Sequence, residues 1–303
     1  MMNGAIHRVV RDTLRSYGDV GGLNNTDGHN LPSKRALGHV CGLLLQVLFP
    51  GFHDERPIHQ AELADLTEER LAKLADAMRD LIVKSLSVRD APRPGEMTDD
   101  VLMRFLGALP GVRELLRTDI AAAYEGDPAA ISSEEIILSY PCIEAIAIQR
   151  LAHILYLEEI PLLPRMMTEW AHARTGIDIH PGAQIGAYFF IDHGTGVVIG
   201  ETCVIGAHVK LYHGVTLGAR SFAKDESGHI VKGGKRHPNV GARVTIYPNS
   251  TILGGETTIG ADSTIGANVF LMRSVPPGSL VVSEEKQLRI MEKSAAPEIE
   301  WFI

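Results

Sequence analysis

From residue 177 onward an aliphatic side chain returns at every sixth position. Ile179, Ile185 and Ile191 open the series, which resumes after a two-residue offset as Ile199, Ile205, Leu211 and Leu217. After a long break it continues as Val240, Ile246 and Ile252, and after one extra residue as Ile259, Ile265 and Leu271. Glycine follows the aliphatic residue at 185, 199, 205, 259 and 265. A small residue often falls four positions later, at Ala183, Thr195, Cys203, Ser221, Ser250 and Ser263. This is the hexapeptide signature of a parallel β-helix: the aliphatic residue points into a narrow prism, and glycine or a small residue lets the backbone turn each corner. Three hexads make one triangular coil, so four to five coils fit in 177–282. A β-sandwich, alternating with period two, gives six only by accident, and thirteen aliphatic positions in phase argue against it.

The first 175 residues read differently. "AELADLTEERLAKLADAMRDLIVKSL" places Leu63, Leu66, Leu71, Leu74, Met78, Leu81 and Leu86 three to five apart, an amphipathic helical stripe. Ser132 and Glu135 have capping-box spacing before "IILSY", Pro141 starts the next helix, and Pro164 opens another that closes on Gly176. "RDAPRPGEMTDD" (89–100) reads as a linker between helices. The expected organisation is α+β and multi-domain: an α-helical domain over 1–175, a catalytic β-helix over 176–282 with a protruding loop at 220–239, and a tail over 283–303.

Composition narrows the partners. A formal net charge of −8 provides no basic field for nucleic acid or an anionic membrane. Three cysteines, Cys41, Cys142 and Cys203, are odd in number and far apart, so they read as reduced thiols. The N-terminus shows no apolar signal core, and "CGLLLQVLF" (41–49) is too short to span a bilayer. The expectation is a soluble cytoplasmic protein.

A regular prism has no concavity, so chemistry belongs where the repeat is interrupted. One interruption is "RSFAKDESGHIVKGGKRHPN" (220–239), polar and glycine-rich, a loop on a rigid scaffold. Another is "DHGTG" (192–196), an Asp-His pair inside apolar β-structure. Imidazole titrates near neutral pH, which suits His193 to proton transfer. Neighbours on a strand point in opposite directions, so Asp192 and His193 are not expected to face each other.

"DIHPGAQIG" (178–186), "DHGTGVVIGE" (192–201), "GVTLG" (214–218) and "KRHP" (235–238), in this order on a hexapeptide helix, resemble serine O-acetyltransferase, with "DPAA" (127–130) in the helical half. The resemblance covers about 127–282, while 1–126 matches only as a helical region. Two departures stand out: the loop at 220–236 is longer than the family's compact one, and "VPPGSLVVSEEKQ" replaces the usual ending after "VPP".

The resemblance implies a left-handed β-helix and acetyl transfer from acetyl-CoA to L-serine, with no tightly bound cofactor and no metal. It makes His193 the catalytic base, oriented by Asp178 in the manner of a Ser-His-Asp arrangement. It gives Asp192 the substrate ammonium, Arg236 the serine carboxylate through its planar fork, and His237 substrate positioning. Asp127 would be a substrate ligand from the helical domain. Acetyl-CoA would lie along the groove between neighbouring prisms, at Thr216, Gly218 and Ala219. Trimers, or two trimers joined through the helical half, are implied, with cysteine as a feedback inhibitor. Many family members end in Ile and insert it into O-acetylserine sulfhydrylase, so Ile303, with Phe302 and Trp301, would be the partner-binding residues.

Other readings remain open on residues alone. His208 and His213 have the H-x4-H spacing of γ-class carbonic anhydrases, with His180 as a possible third zinc ligand. A hexapeptide acetyltransferase with another hydroxyl acceptor, such as O-phosphoserine or homoserine, and a non-catalytic assembly scaffold are the other two.

Overall fold

The computed structural model describes residues 2–89, 94–222 and 224–283. Among these, α1 (Met2–Asp19), α2 (Lys34–Leu48), α3 (Leu63–Leu86), α4 (Pro94–Gly126), α5 (Ser133–Ser139), α6 (Pro141–Leu157) and α7 (Leu163–Thr175) precede short parallel strands. The chain forms two compact units, Met1–Arg113 with Ala147–Trp170, and Glu114–Ile146 with the chain from Ala171 onward. The change from helix to strand falls at 175–178, as the periods predict. The compact units are cut elsewhere, because helical segments 114–146 and 171–175 group with the strands.

In the first unit α2 packs on α3, burying Leu37, Val40, Leu44 and Leu48 with Leu74, Met78, Leu81 and Ile82. The leucine stripe of α3 is buried only from Leu74 onward; Leu63, Leu66 and Leu71 are half-buried. The expected linker at 89–100 is helical from Pro94, where α4 begins and a proline fits the first helical turn, while 90–93 lie outside the described residues. In the second unit, Ser132 caps α5 by accepting from the Glu135 amide at 3.1 Å, but Glu135 returns its carboxylate to the Ile131 amide rather than completing a capping box. Pro141 starts α6, and α7 ends at Gly176, whose φ of +70° suits glycine.

The strands build a three-faced prism. The first sheet stacks β1 (Asp178–Ile179), β4 (Val198–Ile199), β7 (Thr216–Gly218), β10 (Thr251–Leu253) and β13 (Phe270–Leu271). The second stacks β2 (Gln184–Ile185), β5 (Val204–Ile205), β8 (Asn239–Val240) and β11 (Thr258–Ile259). The third stacks β3 (Phe190–Asp192), β6 (Lys210–Tyr212), β9 (Thr245–Ile246), β12 (Thr264–Ile265) and β14 (Leu280–Val281). All pairings between these strands are parallel, and the hexad aliphatics align tier on tier: Ile179, Ile199, Leu217, Ile252 and Leu271 form one inward column. Every hexad aliphatic except Ile185 is buried, and Ile185 lies on a first-tier edge strand. Ala183, Cys203, Ser250 and Ser263 face inward near the corners, whereas Thr195 and Ser221 are exposed, because each lies in a segment that leaves the repeat.

The "IG" glycines answer a packing demand. A Cβ on Gly206 would lie 2.7 Å from the Ala242 amide nitrogen of the next coil, and Gly186, Gly241 and Gly260 face the next tier in the same way. The first tier has no coil beneath it, so its backbone donors need other partners. The end of α4 supplies them: Thr118 Oγ1 accepts from the Tyr188 amide and the buried Asp119 carboxylate from the Phe189 amide, both at 2.9 Å. The expected tail, with Trp301, Phe302 and Ile303, lies outside the described residues from 284 onward.

Candidate active site

The two-residue offset after Ile191 has a structural meaning. Ile191 and Ile199 both point inward, so the two surplus residues must bulge from the corner between the third and first sheets. His193 sits on that bulge with φ +59°, its side chain 71% exposed. The left-handed turn overturns the strand-alternation expectation. Asp192 ends β3, His193 has already left the strand, and their side chains lie together with Nδ1 and Oδ1 3.6 Å apart. His213, one tier up, brings its ring centroid to 5.7 Å from that of His193. Its Nδ1 is buried without a hydrogen-bond partner among the described residues.

Around this corner the structure gathers groups from distant segments. Asp127 follows the last residue of α4, and its carboxylate accepts from Tyr140 Oη at 2.5 Å and from the Ala129 amide at 2.8 Å. These donors, with Lys210 and His193 nearby, hold the Asp127 carboxyl below its ordinary range. The same hydrogen bond, with burial, pushes the Tyr140 phenol up. Lys210 lies between the carboxylates, 3.5 Å from Asp192 Oδ2 and donating to the Gly126 carbonyl at 2.5 Å. Asp127, Asp192 and His193 therefore lie together, with His213, which the sequence offers only as a zinc ligand, and with Tyr140 and Lys210, which carry no signal in the sequence.

Asp178 stands on β1, the residue before inward-facing Ile179, and so on the outer face of the first sheet, with a His172 ring nitrogen within 4.8 Å of its carboxylate. Thr216 and Gly218 flank inward-facing Leu217 on the same face two tiers on, with Ala219 just beyond β7.

Arg236 and His237 occupy a different corner, between the first and second sheets, where the long loop returns. Thr202 Oγ1 accepts from both of their amides at 3.0 Å, and the Thr202 amide donates to His237 Nδ1 at 3.1 Å. Arg236 pairs with Glu201. Burial, reinforced by the Arg236 charge, pushes His237 down to about 4, so the ring is neutral near pH 7. Lys235 donates to the Thr202 carbonyl and, at 2.7 Å, to Asn239 Oδ1. Beside it a cleft is lined by Arg220, Lys235, Arg236, Gly254, Gly255 and Thr257, among others. Glu201 and Thr202 carry no signal of their own in the sequence, although the first closes the "DHGTGVVIGE" stretch and the second directly follows it.

His180, His208 and His213 lie at three different corners, and His208 stacks on Tyr188 at a centroid distance of 4.2 Å. The three cysteines are buried and form no disulfide among the described residues, and burial pushes the Cys142 and Cys203 thiols up to about 12, which makes those two inert packing groups. Among the described residues, no helix is long and apolar enough to cross a membrane.

No family model matches the chain. A plasmid-encoded serine acetyltransferase of Synechococcus elongatus is 46% identical over 260 residues, spanning 83% of this chain and 81% of that protein. The crystal structure of Entamoeba histolytica serine acetyltransferase 1 in complex with L-cysteine has a TM-score of 0.72 at 38% identity, covering 80% of this chain and 86% of that one. The Neisseria gonorrhoeae serine acetyltransferase in complex with serine gives 0.54 at 26% identity, covering 81% and 95%. A hexad-built β-helix with an exposed imidazole on a corner bulge, set among carboxylates, defines an acyltransferase of the hexapeptide-repeat class. Within that class, the chain belongs to the serine acetyltransferase family.

Proposed function

We propose that the enzyme transfers the acetyl group of acetyl-CoA to the hydroxyl of L-serine, giving O-acetyl-L-serine and coenzyme A by direct attack in a ternary complex. The serine Oγ forms a bond to the acyl carbon, the thioester C–S bond breaks, and the hydroxyl proton passes through His193 to the departing thiolate. Asp178 orients the imidazole and stabilises imidazolium. Asp192 and Asp127 hold the substrate ammonium, while Arg236 and His237 receive its carboxylate. The donor lies along Thr216, Gly218 and Ala219. The neighbouring cleft with Arg220 and Lys235 suits its phosphates.

The observation that carries this reading is His193 on its bulge with Asp192 and Asp127 around it, in a chain 46% identical to a serine acetyltransferase. Arg236 and His237 lie at the other margin of the first sheet, which supports a site completed by a neighbouring copy in a trimer, alone or paired as a hexamer. Cysteine, isosteric with serine, would compete for the acceptor site; the Entamoeba relative was crystallised with L-cysteine.

Coenzyme A release, measured with L-serine, O-phosphoserine and homoserine, tests the assignment. Serine is the expected acceptor, and His193→Ala should lower kcat by about 10²–10⁴-fold with the fold intact. An active His193→Ala enzyme removes the mechanism, and a monomer in light scattering removes the shared site.

A further inference from the structure

Lys210 is an ordinary outward position of the hexad repeat, yet its ammonium stands at the centre of the His193 cluster. In register it lies opposite Phe190, so Asp192 is its diagonal neighbour on the tier below. Its Nζ is 2.5 Å from the Gly126 carbonyl oxygen and 3.5 Å from Asp192 Oδ2. It also lies 5.1 Å from the Phe190 ring centroid and 4.6 Å from that of Tyr212. Its charge bears on Asp127, the residue that follows Gly126. Gly126 ends α4, and the last carbonyls of a helix favour a cation. The side chain is only 20% exposed, so this charge is largely withdrawn from solvent.

We propose that Lys210 is a positioning residue for the amino-acid acceptor. It ties the Gly126–Asp127 turn to Asp192, so that both carboxylates face one substrate ammonium. By offsetting one of the two negative charges it leaves the single net charge that one ammonium matches. Without it the carboxylates repel as like charges sharing a site, and the turn carrying Asp127 loses its link to β3. This rests on the reading in which Asp127 and Asp192 hold the acceptor ammonium.

Steady-state kinetics of the full-length enzyme test it, with thermal melting run alongside. Lys210→Met should raise the KM for L-serine by about tenfold or more, the scale of one charge-assisted hydrogen bond, with the KM for acetyl-CoA changed by less than about twofold. Lys210→Arg, which keeps the charge, should stay within about threefold of wild type. Against serine, L-cysteine should compete more weakly in the Met variant, whereas its des-amino analogue, 3-mercaptopropionate, should compete as before. Asp127→Asn should add little to Lys210→Met, because both disrupt the same subsite. Lys210→Gln, which retains a donor for Gly126, is read in the same way if the Met variant does not fold. An unchanged serine KM, an equal rise in the acetyl-CoA KM, independent effects of the two substitutions, or an Arg variant as impaired as Met would each overturn the proposal. A wild-type enzyme inactive on serine would instead remove the acceptor assignment beneath it.

Discussion

Acidification from about pH 7.5 to about pH 5 should cost the folded protein about 2 kcal/mol through the His237 ring alone. The ring belongs to a residue only 8% exposed, and its Nδ1 accepts from the Thr202 amide at 3.1 Å, a bond that needs an unprotonated nitrogen. A Cβ on Gly200 would fall 2.0 Å from the imidazole, so the ring lies directly against that backbone, where water has no room. Burial is the main reason the pKa falls to about 4; the Arg236 cation adds to it, and Glu201 opposes it. An unfolded histidine takes up its proton near 6.5, whereas the folded one resists until about 4. The unfolded state therefore binds more protons throughout that window. The stabilising contribution is complete above the unfolded value and is lost as pH falls through the folded one. At 1.36 kcal/mol per pH unit the full window is worth about 3 kcal/mol, of which about 2 has been lost by pH 5.

Guanidinium unfolding of wild type and His237→Asn at both pH values isolates the effect, since carboxylates that titrate in both proteins cancel in the double difference. The asparagine variant will be less stable at either pH; only its smaller pH dependence matters. Parallel pH profiles within about 0.5 kcal/mol, or an imidazole resonance titrating near its ordinary value, would refute the reasoning.

Three further substitutions probe the scaffold and the site. Gly206→Ala drives a methyl group to 2.7 Å from the Ala242 amide nitrogen, and backbone cannot yield there, so chemical denaturation should show a loss of about 2–3 kcal/mol. Gly42→Ala, inside α2 with nothing within 4 Å, should instead gain about 0.5–1 kcal/mol; equal effects would discount the inter-coil contact. Tyr140→Phe removes the phenol that holds Asp127, so kcat/KM for serine should fall by about tenfold with the acetyl-CoA KM unchanged; steady-state rates decide it.

How legible the site was depended on how each residue entered it. The prism announces itself because its inward column must be apolar on every turn, whatever the outer faces do. His193 was legible because it stands on a two-residue insertion that is visible in the period. Strand alternation does not govern its relation to Asp192, because β3 ends at Asp192 and His193 enters a left-handed turn. Lys210 and Tyr140 left no signal. Lys210 occupies an ordinary outward position, and a period of six does not tell one outer face from another. Its main partner, Gly126, is 84 residues away in the chain. Tyr140 before Pro141 read only as the end of a helix. Asp127 was legible through family resemblance alone, since an Asp-Pro turn is common and the donors on its carboxylate come from tertiary structure.

The three departures from phase share one physical cause. An inward column tolerates no slip, because a one-residue shift would turn aliphatic side chains out of the core and polar ones in. Extra residues must therefore be expelled at corners, where the chain already leaves the sheets. The two surplus residues after Ile191 expel His193 at one corner. The long break after Leu217 expels the loop at another and brings Arg236 and His237 back onto Thr202. The single surplus residue after Ile252 falls in Gly254–Gly255, at the same corner one tier higher. There Gly254 adopts φ +106°, and a Cβ on Gly255 would meet the Lys235 carbonyl oxygen at 2.6 Å. This smallest slip makes room for the returning loop, so it serves the same site as the longest one. A repeat that excludes concavity thus gathers its candidate site groups at the corners where its period fails, and the outer face of the first sheet, which carries Asp178, Thr216 and Gly218, runs between them.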